Sequence, residues 1–332
     1  MASLADIRAK LAASSQSSSN GTGETGPTFP HWNMQENGES TIRFLPDGDN
    51  SNTFFWVEKQ MIKLPFAGIK GEADMRPTIV QVPCIEMYDA KTYCPVLTEV
   101  RSWFKDKTLE EIGRKYWKKR SYLFQGLVVK DGLNEETPPE NPIRRFTLSP
   151  QIFQLVKAAL LDEELDELPT DYLRGIDFKI IKTSKGGFAD YSTSKWSRNE
   201  RALSDVEHAA ISQYGLLNLS DLLPKRPDAV ELEVIKSMFE ASVDGEAYDP
   251  ARWGTFYRPS GYTAPAETNA TAVYSVPATP KAAPVIPKAS APVADSFDEN
   301  DDVPFDTSPQ EASKAQDIMA VIRARQAAAA TS

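Results

Sequence analysis

The chain has 332 residues, 41% of them hydrophobic, 10% aromatic and 25% charged, the composition of a soluble globular protein. No apolar run approaches the roughly 20 residues a membrane span needs, and the first residues lack the apolar stretch and cleavage site of a signal peptide. Two cysteines, Cys84 and Cys94, are too few for a disulfide framework, so a cytoplasmic protein without a membrane partner is expected. The formal net charge of −10 would argue against a polyanionic partner only if the charges were mixed. They are segregated: residues 101–130 hold nine basic and three acidic side chains, while acids collect at 162–171, 228–249 and 295–306. A local basic field attracts a polyanion whatever the sign of the whole chain.

Three regions follow from the order of signals along the chain: 1–28, 29–257 and 258–332. Residues 3–13 read as a short helix, with Ser3 as cap and Leu4, Ile7 and Leu11 on one face. About three turns are marginal alone in water, so this helix needs a partner surface. Residues 14–27, rich in Ser, Gly and Thr, read as a flexible linker. In the middle region, 40–45, 54–62 and 78–82 have the β-branched and aromatic content of strands. A short helix is expected over 109–116, and a strong strand over 121–130 pairs with 143–148 across a Pro- and Glu-rich loop. Pro150 opens a helix over 150–161. Strands over 177–183 and 188–196 flank a turn at 184–187, and helices are expected over 204–214 and 227–241. Residues 258–293, mostly Pro, Ala and Thr, bury too little apolar surface to offset chain entropy and are expected to be disordered. An acidic segment follows, and Ile318, Val321 and Ile322 then form a helical stripe.

Little in the sequence points to catalysis. The two histidines, His31 and His208, suit structural roles. There is no phosphate-cradling Gly-rich loop and no nucleophile elbow. Single-stranded nucleic acid, by contrast, asks for Lys and Arg against phosphates and aromatic faces against bases. The run Arg114, Lys115, Tyr116, Trp117, Lys118, Lys119, Arg120, Tyr122 and Phe124 interleaves both, with Tyr122 and Phe124 on one face of a strand. Lys179, Lys182, Lys185, Phe188, Tyr191, Lys195 and Trp196 form a second such cluster. The same rings would also suit a buried core flanked by solvated cations, and both readings stay open here.

These residues carry a resemblance. The segment from Lys118 through Ser-Tyr-Leu-Phe-Gln-Gly-Leu-Val-Val-Lys to Asp131 is similar to the basic-aromatic strand of the T-even phage helix-destabilising, single-stranded DNA-binding family. Ser40 to Pro46 resembles its first core strand, and Gly187 to Trp196 its Gly-Phe-x-x-Tyr-x-x-Ser-Lys-aromatic hairpin. Cys84 and Cys94-Pro95-Val96 match two of its cysteine positions, and the matches run in the same order over about 40–196. The resemblance implies a mainly β, α+β protein with an OB-fold core whose cleft takes single strands without sequence preference. By position, Tyr122, Phe188 and Tyr191 fall on DNA-contacting aromatics and Lys118, Lys119 and Arg120 on the basic strand.

The resemblance further implies an N-terminal arm for self-association along the strand, here Leu4, Ile7, Arg8, Lys10 and Leu11. Only Arg8 and Lys10 of this arm are basic, fewer than the family pattern has. It also implies an acidic C-terminal segment for replication and recombination proteins. Asp301, Asp302, Val303, Pro304 and Phe305 resemble the acidic tip of bacterial single-strand binding proteins, although more than twenty residues follow Phe305. Ile318, Val321 and Ile322 offer a second docking stripe. The family's zinc site, similar to one histidine and three cysteines, is expected to be reduced to Cys84 and Cys94. Leu97 stands where the third cysteine would be and Gln60 near the histidine position, and apolar packing from Ile85, Val96 and Leu97 would hold the loop without a cofactor.

Two functions are therefore weighed: a single-strand binder in the cytoplasm of an infected bacterial host, and a DNA-independent replication adaptor whose terminal helices dock partners. The basic-aromatic strand favours the first.

Overall fold

The computed structural model describes residues 27–72, 76–89, 91–162, 167–260 and 262. The expected arm residues Leu4, Ile7, Arg8, Lys10 and Leu11, the tail residues Asp301 to Phe305, and Ile318, Val321 and Ile322 lie outside the described residues.

The centre of the molecule is an antiparallel sheet. Its strands are β1 (Glu39–Phe44), β2 (Trp56–Phe66), β3 (Thr78–Pro83), β4 (Lys119–Lys130), β5 (Ile143–Leu148), β6 (Ile176–Ile181) and β9 (Lys195–Glu200), in the order β3-β2-β4-β1-β6-β9 with β5 also on β4. The register makes β4 the common reference. Tyr122 pairs with Glu58 on one edge and Leu148 on the other, while Gly126 pairs with Phe44 and Arg144. Strands β1 and β2 thus lie end to end along one edge of β4 and β5 along the other. A Cβ at residue 126 would stand 2.2 Å from the Arg43 carbonyl oxygen, so glycine is what permits β1 to approach here. The mainly β architecture is as expected and is compatible with an OB-fold.

The helices are α1 (Pro95–Trp103), α2 (Glu110–Tyr116), α3 (Pro150–Leu160), α4 (Asp205–Tyr214), α5 (Ala229–Val243) and α6 (Pro250–Trp253). Ser204 and Asp228 each cap a helix in a capping box closed by Glu207 and Glu231. Helix α1 replaces the loop that the sequence predicts around Cys94 to Leu97. Pro95 at the first helical position and Val96, Leu97, Val100 and Trp103 on the buried face supply its start and its stripe. The expected hairpin over 177–196 is divided instead. Strand β6 pairs with β9, while β7 (Thr183–Lys185) and β8 (Phe188–Asp190) form their own ladder. The turn is only Gly186-Gly187, both with positive φ, 62° and 84°, as a two-residue hairpin loop requires.

Long β2 serves two apolar cores. Its outer end, with Ile62, Leu64 and Phe66, packs with β3, α1, α2, α5 and Trp253. Its inner end reaches an aromatic core of Phe44, Phe55, Tyr122, Phe124, Phe146, Phe153 and Phe178 under α3. A smaller cluster of Leu45, Leu127, Ile143 and Leu203 lies by α4. No helix among the described residues is long and apolar enough to cross a membrane.

One polar network is buried between these layers. The fully buried Arg43 donates to Asp177 Oδ1 at 3.0 Å, Asp177 Oδ2 accepts from Arg201 Nε at 2.7 Å, and Arg201 meets Glu207 at 2.8 Å. Replacing Asp177 by Ala leaves the Arg43 guanidinium buried beside no carboxylate, which is expected to cost about 3–5 kcal/mol. Urea unfolding of the variant against the parent measures this.

Candidate nucleic-acid interface

The alternation of β4 decides what the basic-aromatic run can present. Tyr122 and Phe124 do share a face, but that face is covered by α3. The Tyr122 ring stacks on Phe153 at 3.5 Å with 9° between the planes, and Phe124 has no exposure at all. Tyr116, on the last turn of α2, is also buried: its hydroxyl meets Ser242 Oγ at 3.1 Å and its ring lies edge-on to Phe239. Tyr116 and Phe124, expected in the interface, are therefore core residues here, because helices that follow them in sequence fold back over their rings. Trp117 is half-buried, edge-on to Phe104 and 6.0 Å from the Arg101 guanidinium.

Three cations of the run, Arg114, Lys118 and Arg120, face carboxylates. Arg114 pairs with Glu110 at 2.7 Å one helical turn away, and Lys115 is exposed. Lys118 and Arg101 share Glu86, at 3.2 and 2.6 Å. Burial alone would raise Glu86, but these two cations outweigh it and hold the carboxyl below its ordinary range. Arg120 lies 3.5 Å from Glu58, and Lys119 pairs with Met61 across the ladder.

The second cluster is arranged differently. Phe188 is 66% exposed and pairs across the Gly186-Gly187 turn with Lys185, itself exposed. Tyr191 is buried; its backbone N–H donates to Gln151 Oε1 at 2.9 Å, while Gln151 Nε2 donates to Asp190 at 2.6 Å. The hairpin is thus tied to the first turn of α3, whose Phe153 covers Tyr122. Lys182 donates to the Trp32 and Met34 carbonyls at 2.5 and 2.8 Å, so it fastens the turn at His31–Asn33. Tyr122, Phe124 and Tyr191 therefore meet in one aromatic cluster, and of the three positional aromatics only Phe188 offers an open face.

Four further residues of this region are not among those the sequence singles out. Phe54 is 57% exposed, and Trp56 lies beneath it. The only signal was the triple aromatic Phe54-Phe55-Trp56, which had been read as strand. Lys59 and Arg145 lie on the sheet face opposite Tyr122, beside Ser121 and Gln125. Burial and then Arg145 hold Lys59 below its ordinary value, burial does the same to Arg145, and the buried Arg145 Nε has no hydrogen-bond partner among the described residues. Nothing in one-dimensional spacing brings these two cations together.

The cysteines are both buried in the β2–α1 lobe. The Cys84 thiol donates a hydrogen bond to the Cys94 sulfur, which also faces backbone N–H groups at the start of α1, so Cys94 is pulled down and Cys84 is pushed up. Cys84 N–H donates to the Gln60 carbonyl at 3.0 Å, and Leu97 is fully buried in the same cluster. Glutamine and leucine beside two thiols fall short of a four-ligand zinc set. No group of three or more His, Cys, Asp or Glu able to hold a metal occurs among the described residues. The residues present do not fit the zinc that the resemblance implies.

The antiparallel sheet and the basic, aromatic hairpin and strand define a β-rich protein with a surface suited to a polyanion. A family model described as gp32 DNA binding protein like matches residues 36–227, more than half of the chain. The chain belongs to that family. No curated protein matches the sequence.

Two predictions come from this region. Burial holds His31 down to about 4 from 6.5, with Lys182 adding to the shift. The unfolded chain then takes the proton first, so His31 stabilises fully above pH 6.5 and loses that contribution as pH falls toward 4. The loss is expected to reach about 3 kcal/mol at 1.36 kcal/mol per pH unit. Unfolding curves between pH 7.5 and 4 should show a smaller fall for His31→Gln. Separately, chelator is expected to leave the melting temperature unchanged, and metal analysis of protein purified without chelator is expected to find no stoichiometric zinc.

Proposed function

We propose that this protein is a sequence-tolerant single-stranded DNA-binding protein. It coats and protects strands exposed during phage DNA replication, recombination and repair, in the cytoplasm of an infected bacterial host. Membership of the gp32 DNA-binding-protein-like family supports this reading. The observation that carries it is Phe188, an apolar ring held in water beside Lys185 at the tip of a two-glycine hairpin. A base stacks on such a ring and the ammonium meets its phosphate. The protein favours the unpaired state by binding it preferentially, so hairpins melt by mass action without ATP. No covalent bond is made or broken, and the protein is not an enzyme in this reading. Self-association through Leu4, Ile7 and Leu11 and recruitment of replication proteins through the segment around Phe305 complete the proposal. No observation favours the adaptor reading.

Fluorescence polarisation with labelled oligo-dT tests it. Binding should weaken with salt by a slope of about −0.7 per phosphate neutralised. Phe188→Ala should cost about 1–3 kcal/mol with the slope unchanged. Replacing Lys118, Lys119 and Arg120 together by Ala should flatten the slope. Equal affinity for duplex and single strand would sink the reading.

A further inference from the structure

The ring stack that begins at Tyr122 does not end in the core. Phe153 lies on Tyr122 at 3.5 Å, Trp56 meets Phe153 edge-on at 5.3 Å, and Phe54 lies over Trp56 at 4.7 Å with 36° between the planes. The last ring is the open one: Phe54 is 57% exposed, against 5% for Tyr122. Phe55 packs on Phe44 and Phe124, Trp56 opens β2 and meets Phe124 at 5.9 Å, and Phe54, in the bend just before β2, lies over Trp56 on the outer side.

A single exposed phenylalanine is ordinary on a protein surface. This one is held in place by polar bonds that its own burial does not explain. Asp47 Oδ1 accepts from the Asp49 and Leu219 N–H groups at 3.1 and 3.0 Å, and Asp47 Oδ2 accepts from Asn52 Nδ2 at 2.7 Å. Asn52 Nδ2 also donates to the Trp56 carbonyl at 3.2 Å, and Asn52 Oδ1 accepts the Phe54 N–H at 2.9 Å. The loop before β2 is thus stitched on both sides of the ring. The same bonds occupy Asp47, the buried carboxylate of the loop.

We propose that Phe54, backed by Trp56, is a base-stacking platform for single-stranded nucleic acid. This rests on the DNA-binding reading above and assigns to it a contact distinct from Phe188. The occupant is a nucleobase. It is flat, it continues the stack on the open face of Phe54, and it needs no hydrogen bond, consistent with sequence tolerance. Holding the ring in place before the strand arrives lowers the ordering cost of binding.

The test uses the full-length chain and fluorescein-labelled oligo-dT in fluorescence polarisation, with wild type, Phe54→Ala, Phe54→Leu, Phe54→Tyr and Phe188→Ala side by side. Phe54→Ala and Phe54→Leu are expected to weaken binding by about tenfold with an unchanged salt slope, and Phe54→Tyr to bind within about twofold of wild type. Leucine keeps the apolar contact with Trp56 and loses the aromatic face, so it separates stacking from loop packing. If Phe54→Leu binds like wild type, or if Phe54→Ala is silent while Phe188→Ala is weak, the platform is overturned and the DNA-binding reading stands. If wild type does not bind oligo-dT, the reading fails and the platform with it.

Discussion

The constraint on which the rest depends is the pairing of the middle of β4 on both edges. Its backbone is bonded to β2 and β1 on one edge over most of its twelve residues, and to β5 on the other over residues 122–127. A strand satisfied on both edges cannot twist away or slip by one residue without turning every side chain to the other face. Tyr122, Phe124 and the rings around them are therefore fixed toward α3, and Leu123, Gln125 and Leu127 toward the other side. There Gln125 donates to the Pro46 and Leu217 carbonyls and accepts the Leu217 N–H. Both faces of β4 are covered, which explains why residues 122–127 are buried without alternation. Any ligand must be met at the margins of this strand, by the loops and the hairpin that its neighbours carry.

The outer lobe shows how the family pattern is altered without loss of a core. In place of a fourfold ligand set, Cys84, Cys94 and Leu97 lie in an apolar cluster with Ile235, Met238 and Phe239 of α5 and Trp253 of α6. Those helices lie beyond the matched residues 36–227. The turn between them is tied to the segment just after β2 by backbone bonds, Tyr248 N–H to the Gly68 carbonyl and Lys70 N–H to the Tyr248 carbonyl, each 2.8 Å. Burying several large side chains at about 1.5–3 kcal/mol each is of the same order as the folding energy a metal would supply. A segment C-terminal to the matched region thus completes the apolar cluster around the two cysteines.

Much of this was legible in one dimension, and the failures share a cause. The elements around Ser40, Thr78, Leu148, Pro150 and Ser204 were set by local signals: β-branched runs, a proline at the first helical turn, a capping serine. Those signals act within a few residues and survive in any tertiary context. What the sequence hid was which covering element lands on which face. Tyr122 and Phe124 read as an open basic-aromatic strand because nothing near them in sequence says that Phe153, some thirty residues on, folds over them. Helix α1 was hidden because its stripe of Val96, Leu97, Val100 and Trp103 is short and begins directly at Cys94-Pro95, which in one dimension looks like a turn. Lys59 and Arg145 come together only through the register of three strands.

The distribution of charge bears on how such a surface gains affinity. Lys118, Arg101 and Arg120 already face Glu86 and Glu58, and Lys130 and Lys179 both approach Glu39. A phosphate arriving there exchanges one anion for another, so the gain is smaller than the count of cations suggests, and exposed pairs are weak to begin with. Stacking carries no such offset, because an exposed ring gives up only water. The exception is the pair Lys59 and Arg145, which are partly buried, repel each other and form no ion pair among the described residues. Coulomb attraction grows as the local dielectric falls, so an anion gains most where cations are desolvated and uncompensated. On a chain of net charge −10, binding of a polyanion is governed by a few such positions and by open aromatic faces, and not by the overall sign.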